Sequence, residues 1–194
     1  MSDFSVISAG SSTLKELLHQ NITLSTGALA GIPIQLQSPK EMQDLGLTGV
    51  SVWLYKVSRM PEMLNEPPER RGLNQLLRPA LPVQLYYLVT PLLADPITKH
   101  TVLGRILQVF NDHAILRGAD LQGVLQGTSE ELRVNLEALT IEELSLVWDA
   151  LSEPYQLSVT YLVQVVKIDS DLEPFKAGIV LEKHAEYTQI VSQT

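Results

Sequence analysis

The sequence predicts an α+β fold, a β-sheet covered by two or three helices, on three observations. Two stretches, 95–113 and 140–151, place apolar residues at helical spacing behind clear N-cap residues. Three others, 50–57, 83–89 and 155–168, carry β-branched and aromatic residues in strand-like runs. Parts of these runs are apolar on both faces, which requires cover on both sides of the sheet.

The elements follow in order. Asp3 to His19 reads as an opening helix with Phe4, Ile7, Leu14, Leu17 and Leu18 mostly on one side and Asp3 as a cap. Its middle, "SAGSS", is poor in helix propensity, but small side chains there let another backbone approach, so that face should be packed. "IPIQLQ" (Ile32–Gln37) is a short strand that Pro33 directs to a sheet edge. "VSVWLYKV" (Val50–Val57) predicts a strand covered on both sides. The next stretch, Ser58 to Pro82, holds five prolines and four arginines; a loop so long inside a compact domain is functional or mobile. "VQLYYLV" (Val83–Val89) then puts Val83, Leu85, Tyr87 and Val89 on one face.

Asp95-Pro96 opens a helix, with a capping side chain before a proline at the first position. Val102, Leu103, Ile106, Leu107, Val109 and Phe110 form its stripe, which ends near His113. Gly118, Gly123 and Gly127 mark a loose connection. In "ELRVNLEAL" (Glu131–Leu139), Leu132, Val134 and Leu136 alternate with polar residues that face solvent. Thr140 and Glu143 make a capping box, Leu139 can staple to Leu144, and Ile141, Leu144, Val147, Trp148 and Leu151 share a helical face. Pro154 stops that helix. From Tyr155 to Ile168 the period becomes two. Those residues, at roughly 3.3 Å each, would make a strand on the order of 45 Å long, against a usual ~20 Å. The tail beyond Ser170 carries two short β-prone runs, "GIVLE" and "YTQIV".

Bulk properties narrow the function. The 194 residues suit one domain, with or without an extension, and the 45% hydrophobic content marks a globular chain. No apolar run approaches 18 residues, and "MSDFSVISAG" has no basic region before an apolar core, against a spanning helix and a secretory signal. Zero cysteines exclude disulfides, thiolate metal sites and cysteine nucleophiles, and fit a cytoplasmic origin. The net charge of −8 is carried by residues 129–194, with four Lys/Arg against twelve Asp/Glu; residues 1–128 balance. Nucleic acid is an unsuitable partner for such a chain, whereas the acidic third could repel misplaced neighbours or face a basic surface.

Signatures of chemistry are sparse. His19, His100, His113 and His184 are scattered, and no phosphate loop, dinucleotide turn or nucleophile elbow occurs. His113 suits a helix C-terminus and Glu142-Glu143 a helix N-terminus. Arg70, Arg71 and Arg78 could bind an anion or an acidic partner, or stay solvated. Tyr86, Tyr87, Tyr155 and Tyr161 fit a sheet face better than a ligand cage. No catalytic residue, cofactor or metal is predicted.

Four motifs in order carry a resemblance: "DFSVISAGSSTLKELL", "RPALPVQLYYLVTP", "VLGRILQVFNDHAIL" and "LTIEELSLVWDALSEPYQLSVTYLVQVVKIDS". Together, to about Ser170, the chain resembles the N-terminal domain of the cap, or tail-terminator, protein of phage-tail-like contractile injection systems. The antifeeding prophage and the Photorhabdus virulence cassettes are the types. The resemblance implies a phage tail-terminator-like fold, a mixed, mainly antiparallel sheet. Tyr155–Ile168 would be its central beam, under the helices near Asp95–His113 and Thr140–Leu151. It also implies a non-enzymatic structural role: a hexameric ring closes the inner tube and sheath, stops polymerisation and anchors the sheath. Expected partners are further copies of this chain and the terminal sheath and inner-tube subunits, with no nucleic acid and no direct membrane insertion. The protein would be cytoplasmic at assembly and then part of an injection particle. A contractile-phage terminator, or an adaptor docking the particle end to another complex, is the alternative. Relatives continue well beyond the "VVKIDS" strand, and Arg59–Pro79 is longer here than the family pattern leads one to expect. The organisation expected is a terminator-like domain, 1–172, and an acidic extension, 173–194. Partner contacts are expected at Arg70, Arg71 and Arg78, and at Ile179, Val180, Leu181, Tyr187, Ile190 and Val191 in the extension, which would pair with a neighbouring chain.

Overall fold

The computed structural model describes residues 4–63, 67 and 75–176. A six-stranded sheet is built from β1 (Ile34–Gln35), β2 (Gly49–Arg59), β4 (Leu81–Leu92), β5 (Ile115–Arg117), β6 (Glu131–Glu137) and β7 (Val159–Ile168). A separate two-stranded ribbon pairs β3 (Gln75–Leu76) with β8 (Phe175–Lys176). Four α-helices accompany them: α1 (Val6–Leu18), α2 (Pro39–Asp44), α3 (Pro96–Asp112) and α4 (Ile141–Leu151). Strand order in the large sheet is β1-β2-β4-β7-β6-β5, with β1 parallel to β2 and every other pair antiparallel. The fold is therefore α+β with a mixed, mainly antiparallel sheet, as expected.

The sheet is covered on both faces. Val50, Val52, Leu85, Tyr87, Val89, Val134, Tyr161 and Val163 point into the main core, where α1 supplies Val6, Leu14, Leu17 and Leu18 and α3 supplies Val102, Ile106, Val109 and Phe110. On the opposite face, Leu88 packs with Trp148 and Leu151 of α4, flanked by half-buried Trp53 and Tyr55. The small residues of α1 do what their size permits: Ala9 and Gly10 are buried, and a methyl group added at Gly10 would stand 3.3 Å from Leu85 Cδ1. Ser11 Oγ and the Tyr87 hydroxyl lie 2.8 Å apart, and Thr13 Oγ1 accepts from the Gln122 amide at 3.0 Å.

Capping follows the sequence. The Asp95 carboxylate accepts from the Thr98 amide at 2.7 Å, and Thr140 and Glu143 close the predicted box on α4. A second box, Ser38 with Glu41, starts α2. The α4 chain leaves through Ser152 in the left-handed region (φ 56°). Gly49 is held at φ 133° with its Cα against the Pro33 carbonyl, so a side chain there would collide with the backbone of the β1 entry.

Several expectations need correction. Phe4 is 79% exposed, α1 begins at Val6 with Ser5 at its cap position, and Asp3 lies outside the described residues. The helix widens after Leu18 into a π-helical turn, His19–Thr23, in which the Leu24 amide donates to the His19 carbonyl. Cover over β2 thins after a bulge between Leu54 and Lys56, leaving Val57 exposed. The long strand begins at Val159, not Tyr155: Tyr155 and Leu157 alternate as a strand would, but serve the return from α4, and both are partly exposed. At one end of α4, Ile141 faces solvent. In β6, Leu132 and Val134 are buried, whereas Leu136 is 58% exposed. Its position becomes informative at the sheet edge.

Candidate functional site

For a chain expected to act by docking, the relevant geometry is that of sheet edges and the grooves beside them. On one side, β1 pairs only with Val50 and Ser51, so the outer side of β2 from Val52 to Arg59, away from β4, has no neighbouring strand among the described residues. This edge is blunted by its bulge, by Arg59, and by Lys56, whose Nζ stands 4.3 Å from the centroid of the Tyr86 ring. On the other side, β5 covers β6 only from Glu131 to Arg133. The Val134 amide turns outward and donates to the Ala114 carbonyl at 2.8 Å. Outward groups recur every second residue in an antiparallel ladder, so Leu136 presents its amide and carbonyl to the same side, past the end of β5.

Beside Leu136 lies a groove of about 520 Å³. Val134, Leu136 and Tyr161 form its floor, and Leu107 and Phe110 of α3 form its wall. The Phe110 and Tyr161 rings meet edge to face, 4.6 Å between centroids. Burial pushes the Tyr161 phenol up to about 12. Asn111 and Asn135 supply the polar groups of the lining. Such a surface holds apolar side chains and offers backbone hydrogen bonds; no strong acid or base converges on it. Glu137, at the end of β6, accepts from the Tyr55 hydroxyl at 3.3 Å, and burial together with that carboxylate holds the Tyr55 phenol well above its ordinary value.

Among the described residues no group of three His, Asp or Glu side chains could hold a metal ion, and no helix is long and apolar enough to cross a membrane. His113 sits at the end of α3, its Nδ1 3.0 Å from the Val109 carbonyl oxygen, in the helix-terminal place its sequence context indicates. Glu143 serves its own helix: hydrogen bonds from the backbone and side chain of Thr140 hold its carboxyl below the usual range.

Of the expected partner-binding residues, Arg70, Arg71, Ile179, Val180, Leu181, Tyr187, Ile190 and Val191 lie outside the described residues. Arg78 is exposed, with its guanidinium carbon 5.8 Å from the centroid of the Phe175 ring. The loop that carries Arg78 is thus clipped to the start of the C-terminal extension by the β3–β8 ribbon, a pairing that two-residue strands do not announce in sequence. The groove and the bare end of β6 were also not foreseen; the only signal was a pattern leucine, Leu136, just before a helix cap.

The sequence profile of the Pvc16 N-terminal domain matches residues 11–182. The chain belongs to the Pvc16 N-terminal domain family. Two solved structures share the fold of this Pvc16 N-terminal domain chain. One is the sheath/tube terminator, in its extended state, of the extracellular contractile injection system PVC: TM-score 0.62, 17% identity, covering 100% of this chain and 67% of that one. The other is the tube-terminating cap of the anti-feeding prophage: TM-score 0.60, 18% identity, covering 92% of this chain and 60% of that one. The chain thus spans about two-thirds of the length of these structures or less. No curated protein matches it.

Proposed function

We propose that this protein is a terminator of a contractile injection system, forming a ring of six copies on the last layer of inner tube and sheath, stopping polymerisation and anchoring the sheath. The observation that carries this reading is the agreement in fold, over 100% and 92% of the chain, with a sheath/tube terminator and a tube-terminating cap. The physics of the surface supports it. A tube of stacked rings grows because each ring offers its next copy an open face; termination needs a subunit that fits the last ring and offers something different beyond. Shape, sheet edges and charge perform that task, and the open end of β6 with its apolar groove is the kind of feature it requires.

In this reading residues 1–172 form the ring-building domain and 173–194 an extension for partner contacts, with Arg78 and Phe175 at the junction. The partners are identical copies and the terminal sheath and tube subunits. The protein is made and assembled in the cytoplasm and thereafter travels with the particle. Electron microscopy of particles produced without this chain tests the proposal. Tubes of excess length, or tubes that lose their sheath, are expected; particles of normal length with stable sheaths would overturn it.

A further inference from the structure

We infer that the open edge of β6 beside Leu136 receives residues 178–182, "GIVLE", from a second copy of this chain, added as a short strand whose apolar side chains enter the groove under α3. This rests on the ring reading and specifies the contact that closes the ring. The acceptor is defined by two features that coincide. Leu136 directs its amide and carbonyl outward where β5 has ended, with no strand beside them among the described residues. On the same spot its side chain, 58% exposed, opens onto the groove floored by Val134 and Tyr161. The long edge of β2 lacks this combination, being bulged and guarded by Lys56 and Arg59.

The occupant is argued from the chain itself. Leu136 and the residues up to the Thr140 cap leave room for about four strand residues. Gly178 to Glu182 supplies a run of that size, three β-prone side chains between a glycine and a charge. Ile179 and Leu181 fall on one face, as the groove requires. The ribbon that precedes the donor segment shares no ladder with β6, which favours a neighbour's groove over the chain's own. The preceding strand, β8, is anchored to β3, five residues ahead of Leu81, which faces Ile168 at the far end of β7. Leu136 faces Tyr161, seven residues back along β7, roughly 23 Å. From Lys176 to Ile179 the chain extends about 10 Å at most. The donor segment and the acceptor edge are different surfaces of the chain, so their pairing between copies is a heterologous contact, the kind that generates rings when the rotation closes.

The absence of cysteine makes the test direct. Chains carrying Leu136→Cys are mixed with chains carrying Ile179→Cys under mild oxidation, and the products separated without reductant. Disulfide-linked dimers of the two chains are expected, at about tenfold the yield of a control pair, Leu146→Cys with Ile179→Cys. Leu146 is exposed on α4, away from the groove. Leu136→Glu is expected to weaken self-association about tenfold while leaving the unfolding midpoint of this half-exposed position unchanged. A disulfide found only within a single doubly substituted chain would overturn the inference. So would unaltered ring formation by Leu136→Glu or by a chain truncated after Lys176, which leaves the ring reading standing. If the unaltered chain formed no ring, alone or on tube ends, the ring reading itself would fall.

Discussion

Tyr87 and Tyr161 stand on the same face of the sheet, and both phenols are shielded from water by α1 and α3. Burial is the first cause of their shifts, and each is pushed up to about 12; for Tyr87 the hydrogen bond with Ser11 offsets part of the effect. In the unfolded chain both titrate near pH 10. A folded value raised above the unfolded one means that stability is fully present below about pH 10 and is lost as pH rises toward 12, because the unfolded state releases protons first. Circular dichroism across this window should show the unfolding midpoint falling. Tyr87→Phe, which removes one of the two phenols, should make the decline shallower. That both tyrosines belong to a sheet face was legible in the sequence, since each lies in a period-two run. Leu136 was legible only in part: its alternation with Leu132 and Val134 set its direction, but what lies over it depends on where α3 and β5 end, and no local pattern encodes that.

At the level of elements, the boundaries of α3 and α4 were read more accurately than those of the strands, for a physical reason, although the short α2 was not read at all and α1 begins later than expected. Asp95, Thr140 and the capping boxes satisfy amides within four residues, so the signal and its cause are local. A strand ends where its partners end. Tyr155 and Leu157 carry the strand period, yet Val159 is the first β7 residue facing β4 and Thr160 the first facing β6. The β3–β8 ribbon was hidden for the same reason, its partners being separated by almost a hundred residues of chain. The capping argument has a quantitative consequence. Thr140→Ala removes the hydroxyl that accepts from the Glu143 amide at 3.3 Å, and should lower stability by about 1 kcal/mol in chemical denaturation. The cost should appear in α4 and its contact with Leu88, so hydrogen exchange should accelerate there before it does in α1 or α3.

For the whole molecule, the proposed ring makes charge a determinant of how copies would meet. The excess of −8 lies within residues 129–194, the part of the chain that contains β6, α4 and the proposed donor segment. Glu137 stands at the end of the acceptor edge, Glu142 and Glu143 open the helix that follows, and Glu182 closes the donor run. Docking donor to acceptor therefore brings together surfaces on which carboxylates outnumber cations such as Arg133 and Lys183, while the backbone and apolar contacts that hold them are indifferent to salt. Self-association should thus strengthen as ionic strength rises from about 20 mM to about 500 mM, since the screening length shrinks from over 20 Å to a few ångströms. Light scattering at fixed protein concentration would show mean mass increasing with salt. Mass falling with salt would mean that oppositely charged surfaces hold the ring, and the contact at Leu136 would then be the wrong one. If the chain forms the proposed ring, the same acidity would serve its assembly: copies that repel one another in free solution would assemble less readily there, and a tube end that supplies cationic side chains would relieve the repulsion.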